Sequence, residues 1–351
     1  MSATADATAA ATAGPVALDP EAGPEAAFAA SPGRRDDVDL LRVVCTATVV
    51  LCHTAAVFVD AGHRTAGVAA DSLTRFAVPA FFAMAGWAAL VASPVRGERQ
   101  LLRRADRIVR PMAVWTALYV ALRGGAEDAV GALFGSVEPA FHLWYLYVYV
   151  PLMLVLGAVV LLVRRAATPW WTLALLGLCA LGATLRGDLG RVTGLELPGW
   201  AWGLSLYPLG YALAGAALLG TARGLGPRWA WAAAATAGCA AVGAYQLGSR
   251  FPAAYATLPV AALTLAVLGA VRGVRVPRRW RSAVRRLSDA SFGAYLTHLA
   301  FVAPFGGAVA ARVAPGPPAA AALAATALVC AAASFGAAHL WGRLRLRAWL
   351  G

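Results

Sequence analysis

Long apolar runs alternate with short arginine-rich breaks along most of this chain. Ten runs approach the ~20 residues that a helix needs to cross a hydrocarbon core. They cover 38–59, 73–93, 108–122, 142–163, 169–186, 199–220, 228–247, 252–271, 288–312 and 317–342, the third being the shortest. No fixed-period repeat is evident. The pattern predicts an all-α polytopic membrane protein, about ten transmembrane helices in one bundle over residues 34–351. Residues 1–33 are rich in Ala, Pro and Thr and read as a disordered cytosolic tail. No basic segment precedes an apolar one there, so a signal peptide is not expected.

Composition agrees with the pattern. The chain is 60% hydrophobic, with a mean hydropathy of +0.66 and only 13% charged residues, against about 25% for a soluble domain. Every one of its 30 basic residues is arginine. The net charge of +13 would suggest a nucleic-acid partner if it formed a basic face interleaved with aromatics, but the arginines sit in the breaks and none is expected. Their distribution sets an orientation. With the N-terminus inside, inner segments hold 22 arginines and outer ones seven: Arg64, Arg75, Arg123, Arg186, Arg191, Arg250 and Arg312. The outer segments also carry the acids Glu127, Asp128, Glu138, Asp188 and Glu196. Both termini are therefore expected in the cytosol, with an even number of crossings. Cys45, Cys52, Cys179, Cys239 and Cys330 all lie in apolar runs without a CxxC pair, so neither a metal site nor a disulfide framework is expected.

The first run, "DLLRVVCTATVVLCHTAAVF", holds two ionisable residues, Arg42 and His53. Eleven residues at about 100° each come within about 20° of three full turns, so both share one helix face, about 16 Å apart along the axis. Arg42 would lie near the inner interface and His53 at or beyond the midplane. A neutral imidazole at that depth can take a proton from a hydroxyl, and a guanidinium can hold a phosphate or carboxylate. Both are expected to look into one cavity. Snorkelling to the interface also accounts for Arg42, and His53 can instead be a hydrogen-bonded structural residue. A proton-coupled carrier using His53 and His298 is the rival class. Its usual signs, a deep acidic residue and a repeated half, are not expected here.

Five stretches in order resemble the acyltransferase-3 family of integral membrane acyltransferases: "DLLRVVCTATVVLCH", "VPAFFAMAGW", "RRADRIVRP", "FHLWYL" and "SFGAYLTH". The likeness runs from about residue 36 to 345, with Ala85 standing where the family commonly has Ser. The resemblance implies a ten-helix bundle that transfers an acyl group, commonly acetyl from acetyl-CoA, to a hydroxyl of a sugar, lipid-linked glycan or secondary metabolite. Acyl-CoA would be a co-substrate, with no permanently bound cofactor, in the inner (plasma) membrane. His53 matches the family's essential histidine and Arg42 its paired arginine; a general base and an acyl-histidine both stay open.

Arg103, Arg104, Arg107 and Arg110 recur at helical spacing before the third run and would bind the CoA phosphates. Positive-inside topology accounts for them as well. Arg104 and Arg107 match the family motif. Ser291, Tyr295 and His298 follow i, i+4, i+7 on one face, either binding acceptor, bracing His53, or joining helices. His142 and Trp144 are candidates for acceptor binding through the family pattern. Trp144 with Tyr145, Tyr147 and Tyr149 otherwise reads as an interfacial belt. The arginines from Arg272 to Arg286 would face anionic membrane lipids or simply mark the inner side. His63 and His339 have no assigned role.

Overall fold

A computed structural model of the protein describes residues 34–165, 167–194, 199–221 and 226–351. The expected tail over 1–33, Glu196 and Arg223 lie outside them. Every regular element among the described residues is helical. In chain order the main helices are α1 (Asp36–Asp60), α2 (Arg64–Ser72), α3 (Ala77–Trp87), α4 (Glu98–Arg123), α5 (Trp144–Val163) and α6 (Trp170–Thr193). They continue with α7 (Leu206–Gly220), α8 (Arg228–Gly248), α9 (Leu258–Val271), α10 (Arg278–Phe301) and α11 (Pro317–Arg343).

Each of the ten predicted stretches is helical over most of its length. Six helical stretches are long and apolar enough to cross a membrane: Asp36–Asp60, Arg64–Ala92, Glu138–Val163, Trp170–Thr193, Arg278–Ala310 and Pro317–Arg343. Helices α7 and α9 are apolar but have 15 and 14 residues, about 21–23 Å at 1.5 Å per residue, short of a ~30 Å core. Helix α4 opens on an arginine-rich half and α8 is rich in alanine, so length and composition alone support six crossings among the described residues, not ten. Large apolar side chains, including Leu122, Leu181, Leu206 and Leu328, point outwards. Lipid on those faces removes the cost that water would impose.

In lipid, polar groups must find partners within the protein. Thr46, Thr54, Thr264 and Ser334 donate to the carbonyl four residues earlier in their own helices. Close backbone contact joins α3 and α7: a Cβ on Gly86 would strike the Ala212 carbonyl, and one on Gly215 that of Ala83. Each helix thus offers a small-x-x-small pair, Ala83/Gly86 and Ala212/Gly215, that lets the backbones approach.

Helix α1 runs up the centre, packed on α2, α3, α10 and α11. At its start Asp36, Asp37 and Asp39 complement the helix dipole and collect arginines from just before the helix and from far along the chain. Asp36 pairs with Arg281 and Arg285, Asp37 with Arg35, and Asp39 with Arg34. Asp37 also accepts the Gly273 N–H at 2.6 Å. This layer marks one end of the bundle, the Asp36 end.

Three expectations need correction. An acidic residue does sit deep in a candidate span, because Asp71 is fully buried within Arg64–Ala92. Arg75, expected in an outer break, is buried beside it and paired through two nitrogens. The pair is illegible in the sequence because Asp71 interrupts the apolar pattern, so the second run begins only at residue 73 and Arg75 counts among the outer arginines. Third, Tyr145 and Tyr147 do not form an interfacial belt. Both are core residues, and the Tyr147 hydroxyl donates to the Ala132 carbonyl at 2.6 Å.

Candidate active site

Helices α1 and α10 run side by side in the same direction, and their polar faces meet along their lengths. Near the Asp36 end, Arg42 Nη1 donates to Ser288 Oγ at 2.9 Å, and Ser288 donates to Asp39 Oδ1 at 2.7 Å. Eleven residues further along α1 and ten further along α10, the His53 and His298 rings lie 4.9 Å apart. Between these levels α10 presents Ser291 and Tyr295 on the same face, as helical spacing dictates.

Arg42 lines a cavity of about 230 Å³ with Phe81, Met84, Ala85, Ala88, Ile108, Tyr145, Leu146, Tyr149, Ser291, Phe292 and Tyr295. Its guanidinium is only loosely neutralised. Asp39 sits 3.5 Å from it but is gripped by Arg34 at 2.6 Å. The hydrogen bond from Arg34 to Asp39 is the largest influence on the Arg34 guanidinium and, with Asp289, holds its pKa above the usual arginine range. Arg42 thus keeps unspent charge for an anion. Asp39 and Ser288 were not singled out from sequence, although Asp39 is one turn before Arg42 and Ser288 continues the face of Ser291.

Of the arginines on α4, Arg104 is half-buried, one turn from the cavity residue Ile108. Burial, and then the neighbouring Arg107, lower its pKa, so an anion placed there would relieve a disfavoured charge. Arg107 is exposed. Arg103 lines a separate surface groove with Glu98, Arg99, Leu102, Asp106 and Trp171, and Arg110 is tied to Asp106 at 2.5 Å. The structure therefore does not bring Arg103 to the Arg42 cavity.

His53 lies elsewhere. With Ala56, Val57, Asp60, Arg123, Glu138, Pro139, Phe141, Leu299 and Ala303 it lines a second cavity of about 340 Å³ toward the Asp60 end. The two cavities share no lining residue, which corrects the expectation of a single one. An aromatic layer separates them. Tyr295, on the Arg42 side, has its ring centroid 5.9 Å from His298 and 6.0 Å from His142. The His298 ring is 5.2 Å from His142, and His53 is 6.5 Å from His142. The intervening side chains come from α10 and from the short 3-10 turn Glu138–Leu143, and no spacing within one helix could reveal their convergence.

Backbone carbonyls fix two of these rings. His298 Nδ1 is 2.5 Å from the Tyr295 carbonyl and His142 Nε2 is 3.4 Å from that of Leu296. The Tyr295 hydroxyl donates to the His142 carbonyl at 2.5 Å, and that of Tyr119 to Leu296 at 3.0 Å. The Ser291 hydroxyl bonds its own helix. Trp144 lines neither cavity; it stacks on Tyr255 at 5.7 Å, and Arg75 lies over the same Tyr255 ring. No group of three metal-ligating side chains with suitable geometry occurs among the described residues.

A family model described as "Acyltransferase domain" matches residues 35–335. No curated protein matches the chain, and no solved structure matches it. The matched stretch holds the apolar helices, both cavities and the histidine layer between them, and by that match the chain belongs to the acyltransferase-3 family.

Proposed function

We propose that the protein is a membrane-embedded O-acyltransferase that moves an acyl group, acetyl in the first instance, from acyl-CoA to a hydroxyl of a sugar, lipid-linked glycan or secondary metabolite. The observation that carries the reading is the pair of cavities facing each other across Tyr295, His298 and His142 within an acyltransferase-family chain. A two-substrate reaction needs two binding sites that approach one another at a proton acceptor. On this reading the Asp36 end faces the cytosol, as the arginine distribution favours, and the membrane is the plasma (inner) membrane. Arg42, Arg104 and Arg107 hold the phosphates of CoA. At about 230 Å³ the first cavity suits the acyl-bearing arm rather than a whole drug-sized ligand.

The acceptor occupies the His53 cavity, where Asp60, Glu138 and Arg123 supply polar contacts at the mouth. The thioester reaches His53 once the Tyr295 side chain swings out of the layer that closes one cavity from the other. His53 takes the hydroxyl proton as the oxygen attacks the thioester carbonyl. The new C–O bond forms, the C–S bond breaks, and the imidazolium returns the proton to the departing CoA thiolate. His53→Ala should insert and fold but lose transfer by about 10²–10⁴-fold. The assay is labelled acetyl-CoA with purified protein and extracts of glycans and metabolites, compared by mass spectrometry with and without the gene. Wild-type turnover by the mutant would refute the role.

One observation favours a second reading, a proton-coupled carrier: the buried Asp71–Arg75 pair supplies the deep acidic residue such proteins use. The pair is internally neutralised, which suits architecture better than a relay. Binding or hydrolysis of acyl-CoA by the purified protein separates the two, since a carrier should do neither.

A further inference from the structure

Three neutral imidazoles carry three N–H donors and three lone pairs between them. Two of the donors are committed. His298 Nδ1 faces the Tyr295 carbonyl and His142 Nε2 that of Leu296. A carbonyl accepts and never donates, so each of those nitrogens bears the proton and the opposite nitrogen is the lone pair. Both opposite nitrogens, His298 Nε2 and His142 Nδ1, are buried without a hydrogen-bond partner among the described residues. Their residues are 0% and 1% exposed. A buried acceptor without a donor has lost its hydration with no hydrogen bond in exchange. The ring of His53 makes no hydrogen bond to a described residue, so its N–H is the one uncommitted donor in the cluster. Its ring is 4.9 Å from His298 and 6.5 Å from His142. A linear N–H···N bond between two imidazoles places their centroids about 5 Å apart. The separation selects His298.

We propose that His298 is the positioning residue for His53: a turn of the His53 ring brings its N–H onto His298 Nε2, a bond that the two rings, 4.9 Å apart and tilted by 41°, do not yet make. This rests on the acyltransferase reading only for what His53 then does. The Tyr295 carbonyl fixes the tautomer of His298, and His298 in turn fixes that of His53. The remaining His53 nitrogen carries its lone pair toward the cavity with Asp60, Glu138 and Arg123. When His53 gains the acceptor's proton, an N–H turned onto His298 Nε2 spreads the new charge over two rings. The arrangement repeats, with a neutral partner, the logic by which a hydrogen-bonded third group orients a catalytic imidazole. His142 is left with the surplus lone pair, which a ligand hydroxyl entering the cluster would satisfy.

The test compares His298→Gln, whose side-chain oxygen can replace Nε2 as acceptor, with His298→Met, of similar size and no comparable acceptor. Diethyl pyrocarbonate, which acylates the lone pair of neutral imidazole, needs neither substrate. The rate of His53 modification is read by peptide mass spectrometry on protein eluting as the wild-type species. Modification should slow by about 10–100-fold in His298→Met, the scale on which second partners of functional imidazoles act, and recover in His298→Gln. In acetyl transfer from acetyl-CoA the same pair should change kcat by a similar factor with KM for acetyl-CoA unmoved. Equal modification of His53 in wild type and His298→Met overturns the proposal, as does failure of Gln to rescue. If the modification rates behave as stated while the wild type transfers no acetyl, the pairing stands and the acyltransferase reading falls.

Discussion

A charge near the end of a span is informative only once its partners are counted. Arg42 meets Asp39 at 3.5 Å, whereas Asp39 meets Arg34 at 2.6 Å, so the arginine that lines the cavity is only weakly neutralised. A charge-assisted hydrogen bond contributes about 1.5–3 kcal/mol. Arg42→Ala should therefore weaken acyl-CoA binding by about 10–100-fold, measured as KM or by calorimetry, and leave the melting temperature nearly unchanged. His53 and Arg42 were readable in the sequence because ionisable residues stand out against an apolar run and their spacing gives a face. The barrier between them was not readable. It is built from Tyr295, His298 and His142, whose meeting depends on how α10 and the 138–143 turn pack beside α1.

At the scale of helices, the sequence marked where apolar runs lie, because runs of that length are rare outside membranes. It misplaced the start of the second, because Asp71 and Arg75 cancel each other where neither is tolerable alone. Breaking such a pair leaves a bare buried charge, costing about 3–5 kcal/mol. Asp71→Asn should lower the unfolding temperature sharply, and Asp71→Leu with Arg75→Met should recover much of the loss; thermal unfolding in detergent by tryptophan fluorescence reads both. The α3–α7 crossing makes a separate demand. Gly86→Val must part the helices at the Ala212 carbonyl, costing about 1–3 kcal/mol by overpacking. Ala85→Ser, one position away and lining the Arg42 cavity instead, should be tolerated. Unfolding curves of the two variants provide the comparison.

On the scale of the whole molecule, the arginines and acids of the Asp36 end bind four segments into one layer: Arg34–Asp39 at the start of α1, Thr221, Arg272 with Gly273, and Arg281–Asp289. Toward the opposite end the His53 cavity is lined by Asp60, Arg123 and Glu138. That asymmetry is what a chain with one orientation in the bilayer needs. The partition at Tyr295 has a consequence for the cell as much as for the chemistry. Two hollows entering a bilayer from opposite faces would, if they met, make a shaft for protons and ions. The Tyr295 ring and its hydrogen bond to the His142 carbonyl act as a bulkhead between them. Vesicles carrying Tyr295→Ala should lose an imposed pH gradient faster than those carrying the native protein, as followed with an entrapped dye; equal decay would mean that the seal lies elsewhere.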